Sequence, residues 1–147
     1  MDETTPPTLT ALSTYLLSRV GKAARSRLGE QLALRGLRLW HTAVLAALAD
    51  FGAHAQRDLA ARLGIHASDV VKVLDELTAA GWVERTRDPA DRRRLRVTLT
   101  PAGRAALAEQ EAAARAVQEE ILAPLDGEER ALLHDFLLRM HHELPLR

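Results

Sequence analysis

A mainly α-helical chain carrying one small β-hairpin is the fold class this sequence predicts, arranged as a winged helix-turn-helix with N- and C-terminal dimerisation helices. Three observations carry that prediction. First, five arginines fall between Arg87 and Arg96, and the stretch then alternates: Leu95, Val97 and Leu99 on one side, Arg94, Arg96 and Thr98 on the other. Second, the turn signal Asp88-Pro89-Ala90-Asp91 separates this run from an apolar-basic run, Trp82 to Arg87, so the two pair as a hairpin with a cationic tip. Third, two helical patterns lie immediately upstream, parted by Leu63-Gly64-Ile65. Helix, tight turn, helix and basic hairpin is a layout that enters DNA with its second helix and its hairpin.

The elements follow in order. Met1 to Pro7 is polar and acidic, the wrong chemistry for a signal peptide, and is expected to fray. Leu9, Leu12, Leu16, Val20 and Leu28 recur at helical spacing and predict one helix over 8–33, which Gly36 ends. A nearly all-apolar helix over 39–50 belongs in the core, with Gly52 beyond its end. A short helix over 56–63 starts behind Ala55, which offers no capping oxygen. The helix over 67–80 buries Val70, Val73, Leu74 and Leu77 and stops at Gly81. Thr100-Pro101 starts an alanine-rich helix that runs to about Leu122, and Pro124 ends it. Asp126-Gly127-Glu128-Glu129 has the form of a capping box for a last helix to about Glu143, with Leu133, Phe136, Leu137, Met140 and Leu144 as its stripe. The expected divisions are 1–36 (tail and dimerisation helix), 37–104 (DNA-binding lobe) and 105–147 (dimerisation helices), as one continuous unit.

Charge is unevenly placed. The formal net charge is zero, yet 82–104 holds seven arginines against three acids, whereas 105–147 holds four arginines against nine acids. A basic hairpin on a neutral average points to a polyanionic partner, double-stranded DNA. The terminal helices are apolar along much of their length, which predicts a homodimer across a two-fold axis, placing two recognition helices for two half-sites about one helical turn apart, with an extended monomeric bundle as the competing reading.

Several classes are excluded or disfavoured. There is no cysteine, hence no disulfide or thiolate-zinc site, which suits a cytoplasmic location. No run of eighteen apolar residues exists, so no membrane partner is expected. Ser13, Ser18, Ser26 and Ser68 are the only serines and none sits in a nucleophile motif, there is no Gly-rich phosphate loop, and no enzyme activity or cofactor is expected. His134, His141 and His142 lack the i, i+4 spacing of a zinc pair, so no metal site is expected.

The candidate DNA contacts are Ser68, Asp69 and Lys72 on the recognition helix and Arg92, Arg93 and Arg94 on the hairpin. Lys72 suits guanine or a phosphate; Asp69 suits either cytosine N4 or the helix dipole; Ser68 suits either contact or capping. Asp91 and Arg93, two apart, can pair, leaving Arg92 and Arg94 free for phosphates or the minor groove. Tyr15, Trp40 and His41 interrupt the first two helices and are candidate ligand contacts, with plain core packing as the competing reading.

Leu59-Ala60, Leu63-Gly64-Ile65, Gly81-Trp82-Val83-Glu84-Arg85, Asp88-Pro89, Asp91-Arg92-Arg93 and Leu99-Thr100-Pro101-Ala102-Gly103 resemble the MarR family of bacterial transcriptional regulators. The resemblance spans nearly the whole chain and is densest from 59 to 103. It implies a homodimer, a winged helix-turn-helix on a pseudo-palindromic operator, Asp91–Arg93 as the brace of the wing, and release of repression by a phenolic, lipophilic or antibiotic-like effector bound between the dimerisation helices and the DNA-binding lobe. Ala55, the stretch Arg38 to His41, and Asp69 depart from the family's usual pattern. A transcriptional activator of the same fold and a winged-helix protein-interaction module are the alternative functions.

Overall fold

The computed structural model describes residues 4–145, so the first three positions of the acidic N-terminal tail lie outside the described residues. Helix α1 (Pro7–Thr10) opens with proline at its first position, where no N–H is missed. Helix α2 (Ser13–Ala33) follows. The single helix expected over 8–33 is therefore broken at Ala11–Leu12. The Thr10 hydroxyl donates back to the Pro7 carbonyl at 3.3 Å and closes the first turn on itself, and the two threonines in that turn favour local bonds over continuation. The apolar spacing runs through the break and hides it from a periodicity reading.

Helix α3 (Leu39–Phe51) leads to a two-residue strand, β1 (His54–Ala55), and then to α4 (Gln56–Leu63). Ala55 makes no side-chain cap, as expected. Gly64 sits at φ +65°, and Ile65 N–H reaches back to the Ala60 carbonyl at 3.0 Å; the left-handed residue turns the chain sharply into α5 (Ala67–Ala79). Gly81 repeats the device at φ +80°, with Trp82 N–H on the Leu77 carbonyl, and feeds the hairpin of β2 (Val83–Arg87) and β3 (Leu95–Leu99). The sheet has three antiparallel strands in the order β1-β3-β2, rather than the two expected. Val83 faces Leu99, Arg85 faces Val97, and Ala55 faces Arg96. A two-residue strand carries no periodicity of its own and exists through its pairing with β3. Thr100 accepts from Gly103 N–H at 3.0 Å and starts α6 (Pro101–Ile121). Asp126 and Glu129 form the expected capping box at α7 (Gly127–Glu143).

Two compact units divide the chain. Leu32–Ala112 holds one core, built from Val44, Leu45 and Leu48 of α3, Leu59 of α4, Val70, Val73, Leu74 and Leu77 of α5, and Val83 and Val97 of the hairpin. The other unit joins the chain up to Gln31 to the chain from Ala113 through the last helix. There α7 buries none of its residues, and Leu16, Leu17, Val20, Phe136, Leu137 and Met140 each remain 40–52% exposed. Among the described residues, no helix is long and apolar enough to cross a membrane.

A candidate nucleic-acid interface

The rotation of α5 is set by its buried stripe. Val70, Val73, Leu74 and Leu77 anchor it, which leaves Ser68, Asp69, Val71 and Lys72 on the open side. His66 caps the helix: its Nδ1 accepts from Ser68 N–H at 3.4 Å and lies 2.9 Å from Ser68 Oγ. Ser68 is thus engaged in capping while its residue stays exposed. Asp69 lies in the first turn, where the dipole favours a carboxylate. Lys72 has no ion-pair partner among the described residues.

The hairpin tip is built by its aspartates. Asp88 accepts from Ala90 N–H at 2.9 Å, and Asp91 accepts from Arg93 N–H at 3.1 Å and from Arg93 Nε at 3.2 Å. The Arg93 backbone N–H, then its side chain, holds the Asp91 carboxyl below the usual carboxylate range. The Asp91–Arg93 pair therefore forms, but Arg93 is 92% exposed and the pair shapes the tip locally. Arg92 is exposed, and its guanidinium has no ion-pair partner among the described residues.

Arg94 corrects the expectation of a free side chain. Its Nη2 donates to Asp58 Oδ2 at 2.9 Å, so the base of β3 is tied to the first turn of α4. Arg94 is the last residue before β3 and lies beside α4, whereas Arg92 sits in the turn at the tip. A second tie, Arg85 Nη2 to Asp75 Oδ1 at 2.8 Å, fastens β2 to α5. These two ion pairs set the wing against both helices of the helix-turn-helix. Neither was legible beforehand, because no local spacing rule links residues 10 or 36 positions apart across elements.

His41 lies in the core. It is 2% exposed, and both ring nitrogens are used. Nδ1 accepts from Arg38 N–H at 2.9 Å, which places the proton on Nε2, and Nε2 donates to Glu76 Oε2 at 2.6 Å. Arg38 Nη2 donates to the other oxygen, Oε1, at 3.0 Å. The His41 bond, with the Arg38 charge beside it, holds the Glu76 carboxyl below the usual range against the opposing effect of burial. His41 thus ties α3 to α5 with both ring nitrogens engaged. Trp40 is 43% exposed on α3, and Tyr15 is half-buried on α2 in the other unit.

Two cavities stand out. One, of about 470 Å³, lies between the start of α4 and the wing, lined by Gln56, Arg57, Arg87, Asp91, Arg93 and Arg94 among others. The other, of about 930 Å³, lies within the terminal-helix unit and is walled by apolar side chains such as Leu17, Val20, Val117, Leu133 and Leu137; Tyr15, Trp40 and His41 are not among its walls. Among the described residues, no group of three His, Asp or Glu is placed to hold a metal ion.

Comparison with known proteins places this geometry. A profile described as MarR family matches residues 35–94. An HTH-type transcriptional regulator, YdgJ of Bacillus subtilis, is 35% identical over 89 residues, covering 60% of this chain and 54% of that protein. The chain spans about half the length of the curated relatives it matches. A crystal structure of a probable transcriptional regulator from Pseudomonas aeruginosa is 32% identical, with a TM-score of 0.73, over 90% of this chain and 98% of that one. The structure of Bordetella bronchiseptica BpsR, whose DNA binding is described as regulated by 6-hydroxynicotinic acid, is 28% identical, with a TM-score of 0.74, over 96% of this chain and all of that one.

Proposed function

We propose, because the chain belongs to the MarR family of DNA-binding transcriptional regulators, that it is a homodimeric repressor released from a pseudo-palindromic operator by a small phenolic, lipophilic or antibiotic-like ligand, and that it acts in the cytoplasm. The observation that carries the DNA reading is one compact unit presenting both an open helix face and a basic tip. Ser68, Asp69 and Lys72 lie outward on α5, Arg92 and Arg93 lie outward on the tip, and the Arg85–Asp75 and Arg94–Asp58 pairs hold helix and wing in register. Lys72 takes a base edge or a phosphate, while Arg92 and Arg93 follow the backbone or the narrow minor groove.

The dimer reading rests on apolar side chains left open on α2 and α7, which a second copy would cover. The ligand reading rests on the family and on the regulation described for BpsR. An effector moves the DNA equilibrium only by its differential affinity for the two forms of the dimer.

The test is an anisotropy titration against DNA flanking the coding region, across a salt series, repeated with phenolic, hydroxypyridine-carboxylate and antibiotic ligands. Salt-sensitive, competitor-resistant binding that one ligand abolishes supports the repressor. Specific binding that no ligand disturbs removes the effector. No specific binding at any salt moves the weight to a protein-interaction module. Reporter expression in cells lacking the protein separates repression from activation.

A further inference from the structure

We propose that the cavity between the first turn of α4 and the wing is a seat for a phosphate-type oxyanion, with Arg57 and Arg87 as its uncommitted cations. The inference rests on the DNA-binding reading for its biological source, but the seat itself is argued from local chemistry. Four guanidinium groups, from Arg57, Arg87, Arg93 and Arg94, line it against one carboxylate, that of Asp91. Arg93 is paired with Asp91, and Arg94 with Asp58. Arg57 and Arg87 have no carboxylate partner among the described residues; Arg87 Nη1 donates only to the Arg92 carbonyl, at 3.2 Å. A positive excess in a partly enclosed hollow calls for an anion.

Independent observations point the same way. Arg94 Nε and Gln56 Oε1 are buried without hydrogen-bond partners. Arg94 spends Nη2 on Asp58, so its Nε–H is a donor still lacking an acceptor. The Gln56 carboxamide presents N–H₂ instead of oxygen after a half-turn, so both groups become donors to one oxyanion. The first turn of α4 has no side-chain cap, because Ala55 holds the capping position, and Asp58 in that turn is turned onto Arg94. Asp91, held low chiefly by the amide and side chain of Arg93, is lowered further by the charges of Arg94 and Arg57. Guanidinium groups match the oxygen spacing of phosphate in pairs, which favours phosphate over a simple halide.

The oxyanion has two possible sources, a backbone phosphate of DNA or a free phosphate species. The first helix of a helix-turn-helix crosses the backbone, so a DNA phosphate here would anchor α4 without reading sequence. The experiment compares the wild type with Arg57→Gln, Arg87→Gln and the double variant, after thermal melting has shown each to be folded. One arm measures duplex binding against salt, with the flanking DNA and with a mixed-sequence duplex. The other measures binding of inorganic phosphate by ³¹P line broadening in the absence of DNA.

A salt slope lower by about one unit per arginine, with equal loss on both duplexes, assigns the seat to a DNA phosphate. Loss of phosphate broadening in the double variant with an unchanged duplex slope assigns it to a free oxyanion. If neither readout moves in folded variants, the proposal is overturned. The phosphate arm still decides if the wild type binds no DNA at all, which would sink the DNA reading and leave the seat standing or falling alone. Arg57→Lys, which keeps charge without the paired geometry, guards against a folding artefact and should retain most of the slope.

Discussion

Gly103→Ala reverses the usual sign of a glycine-to-alanine change in a helix. Position 103 is the third residue of α6, and alanine there would ordinarily stabilise by ~1 kcal/mol through helix propensity. Here the glycine lies against the start of the wing. A Cβ would fall well inside contact with the Trp82 carbonyl oxygen, 3.0 Å from its carbonyl carbon and 2.6 Å from Leu99 Cδ1. The obstacle is mostly backbone, and that backbone is tied down. The Trp82 carbonyl accepts from Thr100 N–H at 3.1 Å, the Thr100 hydroxyl donates to the Gly81 carbonyl at 2.7 Å, and Leu99 is paired with Val83. Relief requires α6 to move away from β2 and break part of this knot. Overpacking of this kind costs about 1–3 kcal/mol, and a backbone obstacle belongs at the upper end. Subtracting the propensity gain leaves a net loss of roughly 2 kcal/mol, or a melting temperature lower by ~4–8 °C for a chain of this size. Thermal and urea unfolding at fixed protein concentration check it, with Gly127→Ala as the control, since a Cβ there meets nothing within 4 Å. An unchanged or raised melting temperature for Gly103→Ala would refute the packing argument.

The other predictions are smaller in scope. Lys72→Ala and Arg92→Ala should each lower the salt slope of duplex binding by about one unit, with Arg92→Ala acting equally on all sequences; an unchanged slope removes that side chain from the interface. Because the folded carboxyl of Glu76 titrates below its ordinary range, its contribution to stability is complete above that range and is lost as the pH falls through the lower, folded value. Glu76→Gln should therefore flatten the fall of the urea midpoint on the acid limb, below the ordinary carboxylate range; an identical acid limb would contradict the His41–Glu76 link. Arg85→Ala removes an ion pair open at Asp75 but largely covered at Arg85, whose side chain is 22% exposed, so it should lower stability by about 1 kcal/mol through lost pairing and packing, and weaken duplex binding by loosening β2 from α5. Phe136→Glu with Leu137→Glu should give a folded monomer in sedimentation, whereas an intact dimer would show that α7 is not the interface.

Much of the fold could be read from local chemistry. The αL turns at Gly64 and Gly81, the Thr100 cap, the Asp126 capping box and the alternation around Val97 depend on neighbours a few residues apart, and such bonds form wherever the chain carries those side chains. The outward faces of α5 and of the wing tip follow from the same patterns, because burying Val70, Val73, Leu74 and Leu77 leaves Lys72 outside. His66 as the cap of α5 escaped notice because capping is expected of Ser, Thr, Asp or Asn.

Where charges meet was another matter. The sequence marked Arg92 and Arg94 as equivalent members of one basic run, yet the approach of α4 places Asp58 beside Arg94 and leaves Arg92 at the tip. His41 looked like a polar interruption in an apolar helix, and folding brings Glu76 to it from 35 positions away. Strand β1 exists through its partner β3, and Gly103 is required by a carbonyl twenty-one positions earlier. Periodicity and capping are short-range and therefore written along the chain. Ion pairs, buried tautomers and close backbone approaches depend on distances that arise only once the core has closed.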